Sequence, residues 1–129
     1  MKLNPDCMRD ILLCMEDVEY QHSLPIAEIY SLLSKYSENE INYSILKLDE
    51  AGFIDATITP YDGGVMIIDI EDITYQGHQF LANIHSETVW KGVKQIAGKV
   101  GSTSLNAIVQ IASGVITELI KSQFGLTPS

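Results

Sequence analysis

The chain has 129 residues, 46% of them hydrophobic, which is enough for one folded unit with a single core. Its formal net charge of −9 is uneven, because residues 1–86 hold four basic residues against fifteen acids, a net charge of −11, whereas residues 87–129 hold a net charge of +2. Since contacts to phosphate dominate nucleic-acid affinity, this acidity argues against DNA binding by the first two thirds of the chain.

Two helices are predicted before residue 37. Asn4 and Pro5 begin the first, with a side-chain acceptor at the N-cap and a proline in the first helical position. Ser23 and Pro25 begin the second, over residues 25–35. Both repeat apolar residues at helical spacing: Met8, Ile11, Leu12, Met15 and Val18 in the first, and Ile26, Ile29, Tyr30 and Leu33 in the second.

The first helix carries both cysteines, Cys7 and Cys14. Two helical turns separate them by roughly 10 Å, whereas a disulfide needs Cα atoms within about 7 Å. The amino terminus also lacks the charged region and apolar run of an export signal. These features predict free thiols and a cytoplasmic protein.

A third helix and a β-hairpin follow. Ser37 and Glu40 form a capping box, and Gly52 follows the apolar helical set of Ile41, Ile45 and Leu48. Residues 53–59 alternate in polarity and residues 65–70 are rich in β-branched residues, which predicts two strands. The segment TPYDGG between them predicts a hairpin with a longer loop.

Three more helices are predicted after the hairpin. Thr74 caps the fourth, which turns Phe80, Leu81 and Ile84 inward, although Gly77 in its first turn costs about 1 kcal/mol. Ser86 begins the fifth, and Gly98 and Gly101 break it. The last helix runs over residues 104–123.

This order of elements predicts a mainly helical α+β protein. Three helices and a hairpin wing form a winged-helix-like domain with a helix-turn-helix core over residues 1–86. Residues 87–129 are a C-terminal helical extension that packs on this core or forms a dimer interface.

The pattern of the last helix fits both of these roles. No charge occurs between Lys99 and Glu118, but a polar stripe and Gly114 argue against a membrane span. A helix with so wide an apolar face needs cover on two sides, which predicts either a core element or a homodimer or higher oligomer. The candidate oligomer interface is Leu105, Ile108, Val109, Ala112, Val115, Ile116, Leu119 and Ile120.

Candidate contacts to a partner lie on the third helix and the hairpin tip. The outward residues of the helix and the turn that would touch a protein or a DNA duplex are Asn42, Tyr43, Lys47, Tyr61 and Asp62. A single lysine beside several carboxylates on this helix disfavours DNA. No spacing of histidines, cysteines or acids fits a metal site, and no catalytic or phosphate-binding motif is present, which predicts no cofactor and no enzyme.

Long stretches of the chain resemble a family of small uncharacterised proteins from Gram-positive bacteria and their phages. The resemblance lies in MKLNPDCMRDILL at residues 1–13, AGFI at 51–54, YDGGVMIIDI at 61–70, ITYQGHQFLANI at 73–84 and VWKGVKQIAGKVGSTSLNAIVQIAS at 89–113. It implies a phage or prophage context and a winged-helix-like fold, and it implies no catalytic residue.

The sequence therefore predicts a non-enzymatic protein-interaction module of phage or prophage type, whose partner is a host regulator or defence protein. One alternative is a dimeric winged-helix transcriptional regulator that binds DNA with Asn42, Tyr43, Lys47 and the wing tip. Another is a peripheral membrane protein anchored by residues 103–123.

Overall fold

A computed structural model describes residues 1–124, which form a mixed α+β fold that is mainly helical. These residues contain six helices and one three-stranded antiparallel sheet. The elements in chain order are α1 (Pro5–Glu16), β1 (Leu24–Pro25), α2 (Ile26–Leu32), α3 (Glu38–Glu50), β2 (Ile54–Tyr61), β3 (Gly64–Ile73), α4 (Tyr75–Ile84), α5 (Glu87–Val100) and α6 (Leu105–Gln123).

The chain divides into two compact units, Met1–Leu81 and a second that begins at Ala82. The first unit holds α1 to α3 and the whole sheet, in which the strand order is β1-β3-β2. Strand β3 is therefore central, and β1 covers only a short part of it through the pairs Leu24 with Ile70 and Pro25 with Asp69.

The core of the first unit forms where α1 packs on α3 and both helices contact the sheet. The three inward residues predicted for the third helix, Ile41, Ile45 and Leu48, are completely buried, as are Met8 and Leu12 of α1. Burying one such side chain contributes about 1.5–3 kcal/mol. The helical periodicity thus identified this core correctly.

The predicted starts of four helices, α1, α3, α5 and α6, are confirmed by their caps. The Asn4 side chain accepts hydrogen bonds from the backbone N–H groups of Asp6 and Cys7. Ser37 and Glu40 form the capping box. The hydroxyls of Ser86 and Ser104 accept from the third residues of α5 and α6. A cap joins residues two or three positions apart, so sequence alone reveals it.

Two predicted helix ends are wrong, and one strand was missed. Helix α2 ends at Leu32 rather than at residue 35, because the chain turns towards α1, where the Tyr36 hydroxyl donates to Asp10 at 2.6 Å. Strand β1 was not predicted. Helix α5 continues through Gly98, since one glycine costs only about 1 kcal/mol, and ends before Gly101, whose φ is 77°.

The hairpin also differs from its prediction, because its loop is only two residues long. Tyr61 pairs with Gly64, so only Asp62 and Gly63 lie between the strands, and Gly63 has a φ of 90°. Pro60 is accommodated in β2 because β2 is an edge strand and the proline needs no ladder donor there.

Close packing requires a glycine at position 77, although glycine is unfavourable in a helix. A Cβ atom at this position would collide with the backbone carbonyl of Phe53 and would lie 2.7 Å from Cγ2 of Ile73. The first turn of α4 therefore approaches the start of β2 closely, and the Phe53 and Phe80 rings stack at 5.2 Å nearby. The helix propensity lost at Gly77 is the cost of the close approach between α4 and Phe53.

The second unit is built on the packing of α5 against α6. Trp90, Val93 and Ala97 of α5 are buried, as are Ile108 and Ala112 of α6. Neither these helices nor any other within residues 1–124 combine the length and apolar character needed to cross a bilayer.

Candidate protein-interaction site

A groove in the first unit runs beside the β-hairpin, and we call it the hairpin groove. Its volume is about 460 Å³. Helices α2 and α3 supply one part of its lining and the hairpin supplies the other, with the residues Ile26, Tyr30, Asn42, Tyr61, Val65, Met66, Ile67 and Ile68.

The hairpin groove follows the edge of β3 rather than one face of the sheet. Successive side chains of a strand point to opposite faces, so a groove on one face would be lined by alternate residues. Here four consecutive residues, Val65 to Ile68, line it. Within the described chain, no strand pairs with Gly64–Ile68 on the side opposite β2, because β1 pairs only with Asp69 and Ile70.

The lining exposes an unusual amount of apolar surface. Tyr61 is 58% exposed, Val65 45%, Met66 52% and Ile68 42%. Single exposed apolar residues are normal on proteins, but a contiguous group of them marks an interaction site. The cluster at the hairpin tip is therefore the best candidate for a contact surface in the first unit.

The groove stands within an acidic unit. Residues 1–81 hold four basic residues and fifteen acids, a net charge of −11. Carboxylates follow the same hairpin: Asp62 lies in the turn, and Asp55, Asp69, Glu71 and Asp72 lie in the strands. A partner that covers the groove would meet a negative field, which favours a basic partner.

Two of the contact residues predicted on α3, Asn42 and Lys47, already interact with other residues of the protein. The Tyr30 hydroxyl donates to Oδ1 of Asn42 at 2.6 Å, which fixes that amide at the groove wall. The ammonium of Lys47 lies 3.0 Å from Glu50 and 5.3 Å from the centre of the Tyr43 ring. The hydrogen bond to Glu50 raises the pKa of Lys47, so its charge is compensated locally.

Two of the five predicted contacts therefore line the hairpin groove, Asn42 and Tyr61. Tyr43 and Lys47 lie on α3 and Asp62 at the turn, outside the lining. Sequence reasoning did not select Ile26, Tyr30 or the VMII run of β3. The signal was present in VMII, since four apolar residues in an edge-exposed hairpin cannot all face the core.

A second groove, which we call the α5–α6 groove, lies in the second unit. Its volume is about 630 Å³, and its lining is mainly apolar: Ile96, Ile111, Gly114, Val115, Glu118 and Leu119. Of the predicted interface residues, Val115 and Leu119 line it, and Ile120 is exposed beside them. Leu105, Val109 and Ile116 are partly exposed, whereas Ile108 and Ala112 are fully buried within the chain.

In the described chain the metal-binding residue types form no metal site, and both thiols are free. Among residues 1–124 no group of three or more histidines, cysteines and acids is placed to hold a metal ion. Cys7 and Cys14 are free, as predicted. Burial raises the pKa of Cys7 to about 11, which keeps this thiol protonated at neutral pH.

Comparison with known proteins gives a family without an assigned activity. The family described as hypothetical protein (DUF2513) matches residues 2–104. A protein of Haemophilus influenzae (strain ATCC 51907 / DSM 11121 / KW20 / Rd), described as uncharacterized, is 30% identical over 121 residues, covering 93% of this chain and 99% of the relative. No solved structure matches the chain significantly.

Proposed function

This chain belongs to the DUF2513 family of hypothetical proteins, and we propose that it is a non-enzymatic protein-interaction module that binds its partner through the hairpin groove. The observation that carries the proposal is the exposed apolar cluster of Tyr61, Val65, Met66 and Ile68 in an otherwise acidic unit. Such a cluster is costly in water unless a partner covers it.

The chain order supports a winged-helix reading of the first unit as part of this proposal. A helix, a short strand, two helices and a hairpin follow one another, and β1 pairs with β3. A wing of this kind serves DNA binding or protein binding, because a fold does not decide function. A dimeric DNA-binding regulator that uses Asn42, Tyr43 and Lys47 is therefore the second candidate.

Charge and local contacts favour a protein partner over DNA. Lys47 is held by Glu50, and the Asn42 amide oxygen accepts from Tyr30, so two of the predicted DNA contacts have partners on the protein. A net charge of −11 on residues 1–81 opposes the phosphate contacts that supply most DNA affinity. The phage or prophage setting implied by the sequence resemblance extends the proposal to a host regulator or defence protein as the partner.

The experiment compares capture of partners from host lysate by three baits. The first is the wild type, the second is Met66→Asp in the hairpin groove, and the third is Tyr20→Asp, which adds the same charge at a residue that is 87% exposed and outside the groove. We expect a partner that wild type and Tyr20→Asp recover and Met66→Asp does not. A partner recovered equally by all three baits contradicts the proposed surface.

DNA binding is tested separately, on immobilised duplex DNA at low salt. We expect no retention of the wild-type protein. Retention that falls steeply with salt would establish the regulator and overturn our preference, because that slope reports phosphate contacts.

We further propose that the second unit self-associates through the α5–α6 groove. Leu119 is 45% exposed at this groove, and the eighteen residues between Lys99 and Glu118 carry no charge that would repel a second copy. Sedimentation should give a dimer for wild type and for Leu32→Glu, an exposed leucine of the first unit, but a monomer for Leu119→Glu. A wild-type monomer at every concentration contradicts this proposal. Peripheral attachment to membranes through residues 103–123 stays a prediction that vesicle flotation tests.

A further inference from the structure

The free edge of β3 limits what kind of partner fits the hairpin groove. Tyr61 and Gly64 flank the two-residue turn and form a hydrogen-bonded pair, so the next pair along the β2–β3 ladder, Pro60 with Val65, exchanges no hydrogen bonds. In such a pair both residues direct their N–H and C=O groups away from the neighbouring strand. The N–H and C=O of Val65 therefore point to the open side, towards the groove.

The same argument extends along the strand. Ile67 pairs with Ile58, two positions further on, and pairs alternate along an antiparallel ladder, so Ile67 also directs its backbone groups to the open side. Ile68 is the extra residue of a bulge, because Thr57 pairs with Asp69 and Ile58 with Ile67. The open stretch from Gly64 to Ile68 is five residues, roughly 16 Å long.

We infer that the hairpin groove binds an extended, basic peptide segment of its partner, which adds a strand to the open edge of β3 between Gly64 and Ile68. This inference rests on the proposed function and names the class of partner. Main-chain hydrogen bonds to Val65 and Ile67 hold the segment, as in other cases of strand addition. Its alternate apolar side chains cover Tyr61, Met66 and Ile68.

The negative charge around the open edge favours a basic added strand and disfavours a second copy of this unit. Asp62 lies just before the open stretch and Asp69 just after it. Two copies paired through this edge would bring together two units with a net charge of −11 each. Charged residues at the ends of an exposed edge discourage such self-pairing. A segment with lysine or arginine between its apolar residues meets complementary charge instead.

The probe is a ten-residue peptide of alternating valine and lysine, and its binding to the full-length protein is measured by fluorescence anisotropy. A peptide of alternating valine and glutamate is the charge control. We expect the lysine peptide to bind, with an affinity that falls as salt rises, and the glutamate peptide to bind at least about tenfold more weakly. Absence of binding by the lysine peptide, or equal binding by both peptides, overturns the inference.

The backbone contribution is tested with Val65→Pro and Val65→Thr. Proline removes the N–H on the open side and leaves the β2–β3 hydrogen bonds in place, whereas threonine keeps the N–H and the β-branched shape. We expect Val65→Pro to weaken peptide binding about tenfold, the loss of one backbone hydrogen bond, and Val65→Thr to retain it. Equal binding by both variants, with circular dichroism unchanged, overturns strand addition.

Modified peptides give the same test without changing the protein. The lysine peptide is N-methylated either at every valine or at every lysine, which blocks the donors of one strand edge or the other. Loss of binding by only one of the two peptides supports strand addition, and full binding by both contradicts it. A partner captured in the bait experiment without peptide binding would leave the proposed function standing while this inference fails.

Discussion

The two units differ in how completely they bury their apolar residues. In the first unit three helices and the sheet enclose a core, so Ile41, Ile45 and Leu48 are inaccessible to solvent. In the second unit the α5–α6 pair buries one row of residues and leaves Ile96 and Leu119 exposed along a groove. Enclosure by several elements yields a core, whereas two helices alone leave apolar surface for another partner.

The hydrogen bonds at the helix starts also differ between the two units. In the first unit the side-chain amide of Asn4 donates to Oε2 of Glu40 at 2.8 Å. Because Asn4 caps α1 and Glu40 belongs to the capping box of α3, one carboxylate joins two helix starts. In the second unit Ser86 and Ser104 cap their helices through local hydrogen bonds. Substitutions at equivalent positions should therefore cost more in the first unit.

The largest contrast is expected between two leucines. Leu48→Ala leaves a cavity at a residue with no solvent exposure and should lower the free energy of unfolding by about 2–5 kcal/mol. Leu119→Ala, at a 45% exposed position, should change it by less than about 1 kcal/mol. Urea denaturation followed by circular dichroism measures both, at a protein concentration low enough that a dimer through the α5–α6 groove has dissociated. Equal costs would show that Leu119 belongs to a core.

A pair of glycines sharpens the comparison. Gly77→Ala forces a methyl group against the Phe53 carbonyl and should destabilise the protein by about 1–3 kcal/mol. Gly92→Ala adds a methyl group, in the interior of α5, where no atom outside the adjoining residues and backbone of the helix lies within 4 Å, and should stabilise by up to about 1 kcal/mol. Thermal unfolding reports the two shifts. Opposite signs are expected, and a stabilising Gly77→Ala would contradict the close approach of α4 to Phe53.

The two serine caps give a smaller contrast. Ser37→Ala and Ser104→Ala each remove the acceptor for one N–H at a helix start, which costs about 1 kcal/mol. Ser37→Ala should cost more of the two, because it also loosens the Glu40 carboxylate that binds Asn4. Chemical denaturation of both variants decides this. A larger loss for Ser104→Ala would mean that the network at Glu40 adds no stability.

The smallest effect is expected in the acid dependence of stability. Hydrogen bonds from the Asn4 side chain and the Ser37 backbone lower the pKa of Glu40 below its ordinary value near 4.5. The stabilisation is therefore complete above pH 4.5 and is lost as the pH falls through the lowered pKa. Glu40→Gln should flatten this part of the pH dependence, measured by denaturation between pH 7 and pH 3.

The matched control for the acid dependence is Glu38→Gln, an exposed carboxylate in the same turn of α3. This variant should keep the slope of the wild type. If Glu40→Gln and Glu38→Gln behave alike, the slope comes from the general acidity of the unit rather than from the network that joins α1 and α3.

Much of the fold could be predicted because its signals are local. The helix caps at Asn4, Ser37, Ser86 and Ser104 and the inward residues of α3 follow from spacings of two to seven residues. Strand β1 could not be predicted in this way. Leu24 and Pro25 carry no strand pattern, and they are extended because they pair with Ile70 and Asp69, more than forty residues later.

The candidate site was predicted only in part for the same reason. Tyr61 at the hairpin tip and Asn42 on α3 were selected as exposed residues, but their meeting in one groove depends on α2 and β3 as well. The predicted contacts Tyr43, Lys47 and Asp62 lie outside that groove. A groove is a property of elements distant in sequence, so no local spacing reveals it.

The sequence by itself determined the helix starts, the existence of a hairpin, the acidic first unit and membership of an uncharacterised family, because caps, turns, charges and resemblance are all written in neighbouring residues. Only the tertiary structure decided that β1 is too short to cover β3, and that the open edge lies against α2 and α3. Strand pairing joins distant residues, and its extent is set by where the neighbouring helix begins, here at Ile26.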